Sequence, residues 1–190
     1  IKTLAESDKI SGVGDGKLNP NGTVTRAEFL KMAMDSFGIV GHAYRDGECL
    51  DATNDDWYCY YLQGALDKDI IPEEMIENCN VTKVTKTLAE ATDDKKAVTT
   101  DVNVYTGKFD GDKPITREEM AAIAVRCKNY KMRRLTDWDN ERRYPIFSFK
   151  DSDEIDEKYI SDVVEAYNLN YIDGMEDGRF APKENLTRAQ

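Results

Sequence analysis

The sequence lacks the features that mark several common protein classes. It has no uninterrupted apolar run of eighteen or more residues, so it offers no candidate for a membrane-spanning helix. His42 is the only histidine, and neither a G-x-S-x-G motif nor a P-loop occurs, so the usual residues of a hydrolase or a nucleotide-binding enzyme are missing. We therefore expect neither enzyme activity nor a cofactor.

Cysteine is also scarce. None of the four cysteines belongs to a C-x-x-C pair, and one histidine cannot complete an ordinary zinc site, so no metal is predicted. In an exported chain an even number of cysteines allows two disulfides in any of three pairings, which the sequence does not distinguish. Core packing is the alternative for two of them, because helical spacing places Cys59 with Leu62 and Cys127 with Ile123. The four candidates are Cys49, Cys59, Cys79 and Cys127.

Positive charge is in the minority. The 37 acidic and 26 basic residues give a net charge of −11. This argues against nucleic acid as a partner, because phosphate binding requires a basic face. We interpret the acidic clusters at residues 51–56 and 151–157 as solvated helix starts, and the basic stretch at residues 131–146 as a solvated linker.

The sequence does contain one short motif three times. Thr-Arg, followed by Ala or Glu and then by Glu or Gln, occupies residues 25–28, 116–119 and 187–190. Each arginine follows a Gly-containing loop that starts eleven positions upstream, at residues 15, 106 and 177. Three equal spacings indicate an internal repeat. The motif arginines are Arg26, Arg117 and Arg188, and the loop glycines are Gly16, Gly107 and Gly178.

The outer copies share one frame, whereas the middle copy carries an insert. An isoleucine precedes the motif arginine by sixteen positions in the outer copies, but the matching Ile71 precedes Arg117 by forty-six. We expect each copy to form a helix, an irregular loop and a second helix. Copy one lacks most of its first helix, and copy three contains only its first half. The copies span residues 1–43, 44–130 and 147–190, with the insert at about residues 72–105.

The outer residues of the motif form a capping-box signature. The threonine accepts a hydrogen bond from the third backbone amide, and the Glu or Gln reaches back to the threonine amide. The arginine is not explained in this way, because a cation in the first turn faces the positive end of the helix dipole. Two explanations stay open. Either the arginine clamps a carboxylate or phosphate at the helix N-terminus, or it bridges loop carbonyls and an acidic neighbour of the next copy as part of the scaffold.

The motif and its loop resemble the S-layer homology (SLH) family, whose repeat ends in a D-G-x-F-x-P loop followed by I-T-R-A-E. Residues 15–28 and 177–190 match this pattern nearly throughout, whereas copy two has Thr106 and Gly111 in place of Asp and Pro. Residues 149–151 (Phe-Lys-Asp) and 44–46 (Tyr-Arg-Asp) are similar to the F-x-D opening of the family repeat. Trp57 is similar to the tryptophan of the family's first helix.

The resemblance implies a mainly α fold, in which SLH-type helix-loop-helix repeats with short irregular loops gather around a pseudo-threefold axis. It also implies an extracellular, non-covalent anchor that binds bacterial secondary cell-wall polysaccharide, typically pyruvylated, through grooves between repeats. One alternative is a self-assembling subunit of a surface layer or filament, whose half repeats are completed by other copies of the chain. The implied ligand-binding residues are Arg26, Arg117, Arg188, Gly16, Gly107, Gly178 and Trp57, the last as a surface on which a sugar stacks.

Overall fold

The computed structural model describes residues 19–42, 49–53, 55–89, 96–133 and 149–189. Within these ranges, every helix is too short or too polar to cross a membrane. The helices are α1 (Arg26–Ser36), α2 (Cys59–Leu66), α3 (Arg117–Arg133) and α4 (Ile160–Asn168), and the strands are β1 (Glu77–Ala89) and β2 (Val98–Lys108). Short 3-10 turns occupy Glu73–Met75, Ser152–Glu154 and Glu157–Tyr159.

The central element of the fold is α3. Its residues Ala121, Ala122, Ile123, Val125 and Cys127 are fully buried, and α1 and α4 pack against it. Burial on nearly all sides is typical of a core helix rather than of a surface helix with one apolar stripe. The sequence spacing had indicated only such a stripe along this helix.

Both motif helices that the structure describes begin with a capping box. In α1, the Thr25 amide donates to Glu28 Oε2 at 2.9 Å and Thr25 Oγ1 accepts from the Glu28 amide at 3.2 Å. In α3, the matching distances between Thr116 and Glu119 are 3.2 and 3.4 Å. The capping prediction is therefore confirmed for copies one and two.

β1 and β2 form a long antiparallel hairpin, with Glu77 opposite Lys108 at its base. Its sequence is rich in threonine and valine, and β-branched residues favour extended backbone. Near the base, Tyr105 is buried and its backbone pairs with that of Cys49. Farther out, the described side chains of the hairpin are exposed or half-buried. The hairpin occupies most of the predicted insert at residues 72–105.

The prediction of a mainly α fold, with helix-loop-helix repeats around a pseudo-threefold axis, is wrong. In the described ranges, strands of 13 and 11 residues stand beside helices of 11, 8, 17 and 9 residues. These unequal helices do not form three like pairs. The sequence analysis assigned no secondary structure to the insert and so overlooked its many valines and threonines, which are a strand signal.

Three short extended segments, each ending just before a motif arginine, are joined by a ring of backbone hydrogen bonds. The Val24 amide donates to the Leu186 carbonyl at 3.0 Å, the Leu186 amide to Ile115 at 2.9 Å, and the Ile115 amide to Val24 at 3.0 Å. All three side chains are buried. Because each segment pairs with both others, displacing one of them breaks bonds to two partners.

Gly107 at the base of the hairpin provides a test of this geometry. It has φ +134°, and a Cβ there would lie 2.7 Å from the Glu77 carbonyl oxygen. We expect Gly107→Ala to lower the free energy of unfolding by about 2 kcal/mol or more, because strain and a backbone clash combine. Urea unfolding followed by circular dichroism would measure this loss.

Gly38→Ala is the matched control. Gly38 also has positive φ, +62°, but its added Cβ would meet only Lys131 Nζ, at 3.7 Å. Strain alone should then cost about 1 kcal/mol. Equal losses in the two variants would contradict the close contact at Gly107.

Candidate functional site

Arg26 lies inside the protein and contacts copy two. Its Nη1 donates to the carbonyls of Phe109 at 2.6 Å and Met75 at 3.0 Å. Its Nη2 and Nε donate to the two carboxylate oxygens of Glu119 at 2.5 and 3.3 Å. This is the two-pronged geometry in which arginine binds carboxylates most strongly. Arg26 therefore ties the start of α1 to the copy-two loop, to the segment before β1 and to the cap of α3.

Arg117 makes the corresponding contacts with copy three. Its Nε donates to the Phe180 carbonyl at 2.7 Å, and its Nη2 donates to the Asp173 carbonyl at 2.9 Å. The guanidinium carbon lies 5.1 Å from the centre of the Phe180 ring, as that of Arg26 lies 5.9 Å from the Phe109 ring. Burial lowers the pKa of Arg117, but an arginine keeps its charge at neutral pH.

Arg188 completes the set by contacting copy one. Its Nη1 lies 3.6 Å from Glu28 Oε1, and its side chain is only 10% exposed. Arg188 thus approaches the capping acid of α1 as Arg26 approaches the capping acid of α3. The backbone joins the copies in the same order, with copy one donating to copy two, copy two to copy three, and copy three to copy one. The amides of the three arginines donate to the carbonyls of Lys113, Glu184 and Gly22 at 2.9, 3.0 and 2.9 Å.

These contacts give the motif arginine a partner that its own helix does not supply. The positive end of its own helix dipole repels it, but two of the three arginines reach the capping acid of another copy. The scaffold explanation accounts for these contacts. A direct contact between the arginines and a ligand stays a prediction.

Two aspartates tie the Gly-containing loops to the start of their own copies. The Asp51 carboxylate accepts from the amides of Phe109 at 2.7 Å and Asp110 at 3.0 Å. Asp151 accepts in the same way from the amides of residues 180 and 181, at 2.8 and 2.7 Å. Each loop therefore presents two amides to an anion, and the protein's own carboxylate fills that position.

The sequence analysis placed Asp151 in an F-x-D opening but gave neither aspartate a role at the loops. It interpreted their clusters as solvated, which is wrong for Asp151, since this residue is only 5% exposed. It found the F-x-D opening of copy two at residues 44–46, which lie outside the described residues. By contact, the counterpart of Asp151 is Asp51, and Cys49 takes the place of Phe149. The C-x-D pattern at residues 49–51 was the sequence signal from which the opening of copy two could have been found.

Gly107 and Gly178 are half-buried, and each lies against another part of the protein. A Cβ on Gly107 would meet the Glu77 carbonyl, and a Cβ on Gly178, which has φ +84°, would lie 3.3 Å from Lys150 Cε. Lys150 in turn donates from Nζ to the Asp177 carbonyl. Gly16 lies outside the described residues. The ligand-binding role of these glycines stays a prediction.

Among the predicted site residues that the structure describes, Trp57 is the one that lies mainly on the surface, with 53% of its area exposed. Its ring packs edge-on against Tyr58, with ring centres 5.7 Å apart. Tyr58 in turn covers Gly111, where a Cβ would lie 2.6 Å from Tyr58 Cζ. This contact explains why copy two has glycine where the family loop has proline. Tyr60, three residues after Trp57, is 42% exposed.

The cysteines are free thiols in the structure. Burial raises the pKa of Cys49 and of Cys127 to about 12, so almost none of either thiol is ionised at neutral pH. The predicted disulfides stay untested. In the described part of the chain, no group of three or more His, Cys, Asp or Glu residues is placed to hold a metal ion.

Comparison with known proteins decides the family. A match to the S-layer homology domain covers residues 1–30 and 148–190. These parts of the chain belong to the S-layer homology family. The resemblance noted in the sequence is therefore confirmed. S-layer homology domains are anchoring modules that bind cell-wall polysaccharide and occur in secreted and cell-surface proteins, and they are not enzymes.

Three relatives align with the whole chain. It is 32% identical over 190 residues to the amylopullulanase of Thermoanaerobacterium thermosulfurigenes and to the exoglucanase XynX of Acetivibrio thermocellus. It is 30% identical to the endoglucanase of Bacillus sp. (strain KSM-635). The S-layer homology chain spans only 8%, 14% and 16% of the length of these proteins.

The two loop aspartates supply a matched pair of variants. We expect Asp151→Asn to lower the free energy of unfolding by about 2 kcal/mol, because the amide group turns a donor toward one of two buried backbone donors. Asp51→Asn should cost less, since Asp51 is exposed and water can serve the amide that loses its acceptor. Urea unfolding measures both losses. A larger loss in Asp51→Asn would contradict this account of the loops.

Proposed function

We propose that this chain anchors a secreted protein non-covalently to the cell surface by binding a pyruvylated secondary cell-wall polysaccharide. The relatives support this proposal because they differ in their enzyme names but share this segment. They are named as three different enzymes, and the chain aligns with at most 16% of each. A segment common to all three is most simply explained by a function that all three can use, and attachment to the surface is such a function.

The exposed pair Trp57 and Tyr60 is the observation that carries the proposal. Tryptophan and tyrosine combine a broad apolar face with a polar edge, which makes them frequent contact residues at binding surfaces. Leaving half of a tryptophan in water forgoes much of the stability that its burial would give. Trp57 lies beside the copy-two loop, because Tyr58 joins it to Gly111. We infer that a sugar ring stacks on Trp57.

We assign the motif arginines a positioning role in this function. Arg26 and Arg117 direct their donors at carbonyls and a carboxylate of the protein itself, and Arg188 lies near Glu28. They hold the loops that border the binding surface, as Gly107 and Gly178 do by their backbone conformation. Gly16 holds the matching sequence position in copy one and lies outside the described residues. Self-assembly, the alternative function, stays an untested prediction.

A pull-down with pyruvylated wall polysaccharide tests the proposal. We expect Trp57→Ala to weaken binding about tenfold or more, because a central aromatic contact typically contributes this much. Val98→Ala is the control, since Val98 has the same 53% exposure but lies on the hairpin. Circular dichroism would verify that both variants are folded. Unchanged binding by Trp57→Ala would rule out the stacking surface proposed here.

A further inference from the structure

The opening of copy two is anchored differently from that of copy three. In copy three, Phe149 stacks on Phe180 with ring centres 5.4 Å apart, and its ring also packs edge-on against Tyr167. In copy two the corresponding residue is Cys49, whose small side chain buries far less apolar area. The segment that carries Asp51 therefore has a weaker apolar anchor than its counterpart in copy three.

The same segment of copy two also has an unfavourable backbone conformation. Leu50 has φ +46°, in the left-handed region that residues with a side chain adopt at an energetic cost. The next residue, Asp51, holds the copy-two loop by accepting from the amides of Phe109 and Asp110. Such a conformation persists only where the surrounding structure holds it. The segment therefore needs a constraint that Cys49 does not supply by packing.

The chain between Cys49 and Cys59 folds back on itself. The Ala52 amide donates to the Cys49 carbonyl at 3.0 Å, and the Asp56 amide donates to the Thr53 carbonyl at 3.0 Å. The Cys59 thiol donates to the same Thr53 carbonyl. Cys49 and Cys59 belong to one buried cluster, with 1% and 3% of their areas exposed. These turns bring both thiols into the same part of the core.

The two thiols also influence each other electrostatically. Burial raises the pKa of Cys49 to about 12, and negative charge on Cys59 adds to this rise. By contrast, burial alone raises the pKa of Cys127, and burial together with two glutamates raises the pKa of Cys79. Because charges shift a neighbour's pKa mainly at short range, Cys59 is the thiol that lies near Cys49.

Strand geometry excludes Cys79 as the partner of Cys49. Cys49 pairs with Tyr105 along one edge of β2, and β1, which carries Cys79, pairs along the other edge. Two strand spacings separate Cys49 from β1 by about 9.5 Å, whereas the Cα atoms that a disulfide joins lie at most about 7 Å apart. A bridge between Cys49 and Cys79 would require β2 to move aside.

We propose that Cys49 and Cys59 form a disulfide as the chain folds under oxidising conditions, and that this bond anchors the opening of copy two. The oxidant is a small-molecule disulfide or a thiol–disulfide oxidoreductase. One cysteine displaces a thiol from the oxidant to give a mixed disulfide, and the second cysteine then displaces the other thiol. Two protein S–H bonds thus become one S–S bond, and the oxidant is reduced to two thiols.

Burial determines when this bond can form. The structure shows the thiol form, in which both sulfurs are buried, whereas exchange requires an accessible thiolate. The bond should therefore form before the core of copy two closes, and burial should then protect it from reductants. The copy-two loop and α2 would be joined by a covalent bond where copy three relies on aromatic packing.

Refolding from urea in a glutathione redox buffer tests the proposal. Trypsin cleaves after Arg45 and Lys68, so residues 46–68 form one peptide that contains both cysteines. After refolding with glutathione disulfide, we expect mass spectrometry to find this peptide two hydrogens lighter and joined to no other peptide. The oxidised chain should unfold at a urea concentration about 1 M higher than the chain refolded in dithiothreitol, because the bond restricts the unfolded chain.

Cys79→Ser is the matched control and should leave both results unchanged. Cys59→Ala should abolish both, so that its urea midpoint is the same in glutathione and in dithiothreitol. The two forms of the unaltered chain provide the comparison if Cys59→Ala does not fold. Two free thiols in the peptide 46–68 after refolding, a crosslink from it to another peptide, or equal midpoints for the two forms would each overturn the proposal.

Discussion

The structure depends on a ring of three backbone hydrogen bonds that joins segments far apart in the sequence. Val24, Ile115 and Leu186 each donate to one partner and accept from the other, with their side chains buried. Buried backbone groups must be paired, so the ring satisfies six polar groups in the core at once. The ring also places the first turns of α1 and α3, and the start of the third motif, side by side. Every contact of the motif arginines follows from that placement.

The motif arginines add a network of side-chain hydrogen bonds to this backbone ring. Arg26 donates to Glu119, which also caps α3, so one carboxylate serves a helix and a neighbouring copy together. Removing one partner of such a buried pair leaves an unpaired charge, which typically costs about 3–5 kcal/mol. The loops that carry Phe109 and Phe180 are fixed from two sides, by a motif arginine and by Asp51 or Asp151. The loop beside Trp57 is therefore held in one conformation before a ligand binds, and this lowers the entropy cost of binding.

Spacing in the sequence was enough to find the three motif copies, the capping boxes and the two explanations for the arginine, because these follow from local rules and equal intervals. Contacts between distant residues could not be found in this way. No local rule indicates that Gly111 makes room for Tyr58. The hairpin was missed for a different reason. Its many valines and threonines were visible in the sequence, but the insert was compared only with the helical repeat.

The central claim is that the ring and the motif arginines form one cooperative unit, and native-state hydrogen exchange tests it most directly. In the unaltered chain, the amides of Val24, Ile115 and Leu186 should exchange with the same free energy, as residues of one unit do. Arg26→Ala should speed exchange at all three amides by the same factor, about 100-fold or more. Arg179→Ala, which removes an exposed arginine, should leave their exchange unchanged. Faster exchange at only one of the three amides, or at none, would contradict the account.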